Sequence, residues 1–184
     1  MTKIAIVVGS LRKESFSRKI ANNVSTLFPD GFETQFISIG DLPLYNQDLD
    51  EDNNIPDSWA TFREDMKTCD AVLFVTPEYN RSVPGVLKNA IDVGSRPMQE
   101  SVWKGKPAAI ISNSPSNLSG FGANHHLRQS LVFLDMPVVQ QPEVYLANVM
   151  TLLDEDGKIN NEDTVQFLQT FINTFIDLIK KYTN

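Results

Sequence analysis

Three hydroxyls and one guanidinium crowd into a short stretch, Gly9-Ser10-Leu11-Arg12-Lys13-Glu14-Ser15-Phe16-Ser17. A helix is predicted to follow, and the first backbone N–H groups of a helix are unpaired donors. Hydroxyls, backbone N–H groups and one arginine together suit a phosphate held by charge-assisted hydrogen bonds. The stretch lacks both the Gly-x-Gly-x-x-Gly of dinucleotide folds and the Gly-Lys-Ser/Thr ending of a triphosphate loop. A monophosphate therefore fits better than a triphosphate. Taken alone, the same residues read equally as a capped helix start, with Ser15 as the cap and Ser10 and Arg12 in solvent.

A second stretch, Thr76-Pro77-Glu78-Tyr79-Asn80-Arg81-Ser82-Val83-Pro84-Gly85, is stiffened by two prolines. A stiff loop aims its N–H and C=O groups in fixed directions, which suits the polar edge of a planar heterocycle, and Tyr79 adds a flat face. Glu78 reads either as a base or as a surface carboxylate. A third stretch, from Ser112 through Ser114 to Gly122, is small and polar. It can border the same crevice or be a plain surface loop.

Other residues point away from chemistry of their own. The two histidines, His125 and His126, are adjacent and so point about 100° apart on a helix, which is poor for chelation; no metal site is expected. No Gly-x-Ser-x-Gly elbow supports a nucleophilic serine. The acidic run Asp48-Leu49-Asp50-Glu51-Asp52 lacks the spacing of a calcium loop and reads as solvated. Cys69, the single cysteine, excludes an intrachain disulfide and reads as a small buried hydrophobe. Trp59 and Trp103 are candidate core or interface anchors.

The elements that must position these loops follow from hydrophobic pattern. Ile4 to Val8, Ala71 to Val75 and Ala108 to Ile111 are apolar throughout, as parallel strands covered on both faces are. Residues 33–39 form a shorter alternating strand, and Val138-Val139 a short fifth one. Helices are expected over 16–27, 57–68, from Pro84 onward, over 123–134 and over 162–181, with 40–54 a loop. In the last helix Val165, Leu168, Ile172, Phe175, Ile179 and Tyr182 form one apolar stripe that should pack on the sheet, with Asn161 as cap. Strand and helix alternate, so the expectation is a doubly wound α/β fold. Its five-stranded parallel sheet takes the flavodoxin-like order 2-1-3-4-5, with helices on both faces. The crevice of that fold lies beyond the carboxyl ends of strands 1, 3 and 4, the strands followed by the three polar loops.

With 184 residues, 41% hydrophobic and 21% charged, the chain is expected to form one globular domain over 1–184. A net charge of −7 argues against nucleic acid or an anionic membrane surface as partner. No secretory signal or long apolar run is present, and a cytoplasmic location is expected.

Gly9-Ser10-Leu11-Arg12 with Ser15, and Pro77-Glu78-Tyr79-Asn80 running into Ser82-Val83-Pro84-Gly85-Val86-Leu87-Lys88-Asn89-Ala90-Ile91-Asp92, resemble the NADPH-dependent FMN reductase family. That family includes bacterial quinone, chromate and azo-dye reductases. Ser95-Arg96-Pro97, Trp103-Lys104-Gly105-Lys106-Pro107 and His126-Leu127-Arg128-Gln129 extend the resemblance. It implies a flavodoxin-like fold in which Ser10, Arg12, Ser15 and Ser17 hold the phosphate of FMN. Pro77, Glu78, Tyr79 and Asn80 would line the isoalloxazine, mainly through backbone groups and the tyrosine face. Ser114 would flank the ribityl chain or the ring edge. The implied electron donor is NADPH or NADH, and the implied acceptors are quinones, azo compounds, flavins or metal oxyanions. No side-chain catalytic residue is needed, and a homodimer or homotetramer with FMN near the interface is implied. Three departures from the family pattern stand out: Ser17 where asparagine is usual, Val93-Gly94 in place of Trp-Ala, and Gly122 where the quinone-reductase branch tends to have arginine. The rival readings are a flavodoxin-type electron carrier, which NADPH would not reduce directly, and a flavin-free interaction module.

Overall fold

The computed structural model describes residues 1–51 and 54–182. The continuous apolar runs do become the central strands. Thr2–Val8 (β1) pairs in parallel with both Phe32–Ile37 (β2) and Ala71–Pro77 (β3). Ala108–Asn113 (β4) pairs with β3 and with Val144–Leu146 (β5), giving the order β2-β1-β3-β4-β5. This is the order expected from the sequence.

Side chains alternate across a strand, so each central strand feeds two cores. Ile4, Ile6, Leu73 and Val75 face the helices Phe16–Ser25 (α1) and Glu162–Tyr182 (α7), and the short helix Val149–Leu152 (α6) adds Val149 to the same core. Ala5, Val7, Val72 and Phe74 face Asp57–Lys67 (α3), Gly85–Gly94 (α4) and Phe121–Phe133 (α5). Trp59 and Trp103 are both fully buried in the second core, so they are core anchors. The stripe on α7 packs on the sheet through Leu168, Ile172, Phe175 and Ile179, and Asn161 Oδ1 accepts the Thr164 N–H at 2.8 Å. Tyr182, the last member of the expected stripe, is exposed.

Two local expectations are corrected. The fifth strand is Val144–Leu146, and Val138 makes only a lone bridge to Ala108. Proline brackets that segment at Pro137 and Pro142 and supplies no N–H. Arg128 Nη1 takes the Val139 carbonyl at 2.9 Å, so the chain cannot ladder onward there. The second correction concerns 40–54. Gln47–Glu51 is a short helix (α2), and Asp50 is not solvated. Its carboxylate takes the Arg63 guanidinium in a bidentate pair at 2.7 and 3.0 Å, with the two side chains 8% and 9% exposed. Asp52 of the same acidic run lies outside the described residues.

Candidate functional site

The three polar loops meet at the carboxyl edge of β1, β3 and β4. They approach closely because residue 9 has no side chain: a Cβ there would lie 2.6 Å from Thr76 Oγ1. The Gly9 N–H instead donates to the Val75 carbonyl at 2.9 Å, which carries the β1–β3 ladder up to the loop.

In the first loop all four expected residues gather around the start of α1. Ser15 Oγ accepts the Arg18 N–H at 3.1 Å, so the capping reading holds for this residue. Ser17, only 1% exposed, accepts from Asn113 Nδ2 at 2.8 Å. A hydroxyl that accepts keeps its own proton to donate, so neither serine is lost to a phosphate. Ser10 is half-buried, and Arg12 is exposed with its guanidinium over the Phe16 ring at 5.5 Å. The acid nearest to these groups in sequence, Glu14, is engaged elsewhere. Its hydrogen bond to Lys19 Nζ at 2.9 Å, helped by the lysine charge, holds its carboxyl below the usual range.

In the second loop the chain reverses between Tyr79 and Ser82, whose N–H groups and carbonyls pair reciprocally at 2.9 and 3.0 Å. The two central residues, Asn80 and Arg81, have φ of 51° and 65°. This pattern matches a type I′ turn, which prefers Asn then Gly. Arginine in that conformation costs on the order of 1–3 kcal/mol and persists only where its surroundings hold it. The reciprocal Tyr79–Ser82 bonds close the turn, and the Glu78 carboxylate braces it against α5. Oε1 accepts from Arg81 Nη1 at 3.2 Å, and Oε2 accepts the Ala123 N–H, in the first turn of α5, at 3.2 Å. Glu78 is therefore not the surface carboxylate considered above: its side chain is 10% exposed. Tyr79 is 49% exposed and presents a free aromatic face.

The third loop starts with Ser114, whose N–H donates to the Leu146 carbonyl at 3.0 Å and whose Oγ accepts the Ser116 N–H at 3.1 Å. Gly122 packs on the second loop, and a Cβ there would fall 2.7 Å from the Arg81 carbonyl oxygen. The arginine usual in quinone reductases has no room at this position. The histidines are engaged singly, His126 Nδ1 with Ser82 Oγ at 2.9 Å and His125 Nε2 with the Tyr145 hydroxyl at 3.0 Å. Among the described residues no group of three His, Cys, Asp or Glu side chains could hold a metal ion.

Several side chains that organise the site carry no sequence signal of their own. Asn113 joins loop 1 to β3, donating to Ser17 and to the Thr76 carbonyl at 3.2 Å. Asn89 on α4 holds the strap that follows β2. Its Oδ1 accepts the Tyr45 N–H at 2.8 Å, and its Nδ2 donates to the Leu42 and Pro43 carbonyls at 3.0 Å each. That strap in turn underlies Leu11, whose Cδ2 would sit 3.1 Å from a Cβ at Gly40. Asn89 belongs to the stretch that carries the family resemblance, yet nothing in the sequence shows that it braces the strap.

Hydroxyl donors, a helix start and an exposed arginine suit a phosphate. A rigid turn with an open aromatic face suits a planar ring. The residues present therefore fit FMN. The model of the NADPH-dependent FMN reductase family matches residues 2–151. The chain belongs to that family. It is an oxidoreductase with FMN as cofactor and NAD(P)H as electron donor, as the resemblance implied. A quinone reductase of Pseudomonas putida is 55% identical over 96% of this chain and 94% of its own length. A 2-hydroxy-1,4-benzoquinone reductase of a Burkholderia species is 46% identical, covering 94% and 93%. The flavoenzyme NAD(P)H:(acceptor) oxidoreductase FerB of Paracoccus denitrificans superposes with a TM-score of 0.91 at 39% identity, covering 99% of both chains.

Proposed function

We propose that this chain passes a hydride from NADPH or NADH to quinones, through FMN held at the carboxyl edge of β1, β3 and β4. The observation that carries the reading is the close approach of β1 and β3 at Gly9 and Thr76, which starts the phosphate-type loop and the loop of the Tyr79–Ser82 turn side by side. When bound, the flavin supplies the two-electron chemistry. Ser10, Arg12, Ser15, Ser17 and the first N–H groups of α1 bind its phosphate. Pro77, Glu78, Tyr79 and Asn80 fix the ring, largely through backbone groups, and Ser114 flanks it. Tyr79, Asn80 and Arg81 shape the open face where donor and acceptor take turns. No side-chain nucleophile is required. Quinones are favoured as acceptors by the two relatives named for them; azo compounds, free flavins and metal oxyanions are further acceptors open to the same chemistry.

The chain acts as one domain and assembles as a homodimer or homotetramer in the cytoplasm. Adjoining clefts of 270, 450 and 420 Å³ run between α4 and α5, from Ser82 and His126 to Lys104. Phe133 stands 74% exposed in the two clefts farther from Ser82, an apolar contact for a second copy. Among the described residues no helix is long and apolar enough to cross a membrane.

An anaerobic titration of FMN-loaded protein with NADPH, followed by flavin absorbance, tests the reading. Two-electron bleaching that a quinone reverses is expected. Flavin that binds but is bleached by neither nicotinamide would make the protein an electron carrier, and failure to bind flavin would overturn the site.

A further inference from the structure

A hydride passing between a nicotinamide, a flavin and a quinone needs no carboxylate base, and Glu78 is already committed on both oxygens. It faces the first turn of α5, where backbone N–H groups and the positive end of the helix favour a negative charge. Its other oxygen holds Arg81, one of two consecutive residues kept in the left-handed region without glycine. Gly122 leaves the Arg81 carbonyl just enough space to settle on α5. Turn, carboxylate and helix start thus form a single clasp, and Tyr79 and Asn80 ride on it.

We propose that Glu78 is a positioning residue. Its carboxylate clamps the Tyr79–Ser82 turn to α5, and so sets where the Tyr79 face and the Asn80 backbone meet the flavin ring. Gly122 is the second half of the same device. The proposal rests on the FMN reading above but assigns Glu78 a role through the turn and not toward the reacting atoms.

The test is FMN binding to apoprotein, read by quenching of flavin fluorescence, with visible circular dichroism of the bound flavin as the geometric readout. Glu78→Ala is expected to raise the FMN Kd severalfold, since only part of the value of its lost bonds is felt at the ring, and to change the flavin dichroism. With a quinone as acceptor, its KM should rise by a larger factor than kcat falls. Glu78→Gln keeps an acceptor for the Ala123 N–H but turns an N–H donor toward Arg81, so it should recover only part of the affinity. Gly122→Ala pushes the turn from the other side with Glu78 intact and should reproduce the dichroism change, which keeps the test open if Glu78→Ala does not fold. Glu78→Ala and Gly122→Ala proteins with wild-type Kd and wild-type dichroism would overturn the positioning role while leaving the FMN reading in place. Wild-type protein that takes up no FMN would instead overturn the reading of the site itself.

Discussion

Asp50→Ala removes one half of the Asp50–Arg63 pair and leaves the other where it is. Arg63 cannot swing into solvent without leaving its neighbours: Nε donates to the Val93 carbonyl at 3.0 Å, and the guanidinium lies 5.4 Å from the centre of the Trp59 ring. Two donors that now meet a carboxylate at 2.7 and 3.0 Å would face no acceptor, in a side chain 9% exposed. Breaking a buried pair from one side costs about 3–5 kcal/mol, against about 0–1 kcal/mol for a solvent-exposed pair. For a chain of 184 residues each kcal/mol moves Tm by roughly 2–4 °C, so the expected drop is roughly 6–20 °C. Thermal unfolding of apoprotein followed by far-ultraviolet circular dichroism measures it. Because the pair is shielded, the drop should persist in 1 M salt, where an exposed pair would already be screened. Replacing both partners with apolar residues, Asp50→Leu with Arg63→Met, should recover most of the loss, since no charge is then stranded. A drop below about 2 °C for Asp50→Ala would refute the reasoning, because it would mean that water reaches the guanidinium as soon as the carboxylate is gone.

Three further outcomes are expected. Arg12→Ala should weaken FMN binding by about 1.5–3 kcal/mol, the value of a charge-assisted hydrogen bond; unchanged affinity by fluorescence titration would remove Arg12 from the phosphate site. Burial, reinforced by a hydrogen bond with Glu143, pushes the Tyr145 phenol up to about 12. The unfolded chain loses that proton near pH 10 while the folded one keeps it, so this contribution to stability is complete below pH 10 and is lost as pH rises from about 10 to 12. Urea midpoints across that window should fall less steeply in Tyr145→Phe, and an equal slope would show that the phenol is freely solvated. Cys69 is 3% exposed and burial pushes its thiol up, so a thiol reagent at pH 8 should label it only after denaturant is added.

The fold was readable because burial on both faces leaves a plain mark: Ile4 to Val8 and Ala71 to Val75 show no polar break, and their five-residue length and β-branched content favour a central parallel strand over a buried helix. The edge was less readable. Val138-Val139 is the more β-branched pair, yet it makes only a lone bridge to β4 and the strand forms at Val144-Tyr145-Leu146, where Pro137, Pro142 and Arg128 do not interrupt the ladder. Asp50 shows the same limit from another side. A run of acids reads as solvated until its partner is known, and Arg63 arrives from the next helix.

The site itself divides along this line. The residues proposed to touch the flavin stand out in the sequence because phosphate and planar rings demand particular groups at short spacing, as in Ser10 to Ser17 and Pro77 to Asn80. The bracing roles that hold those loops in place do not, because each acts across the fold: Asn113 on Ser17 and Thr76, Asn89 on the strap under Leu11, and Glu78, expected at the ring, on α5. All three use side-chain atoms to satisfy or clamp backbone or hydroxyl groups of a neighbouring loop. A loop held by its own sequence alone would need more ordering when the cofactor arrives. Loops cross-braced in this way have met much of that cost during folding, so affinity depends on the braces as well as on the contact residues. Losing a brace should therefore weaken flavin binding even though no atom in contact with the flavin has changed.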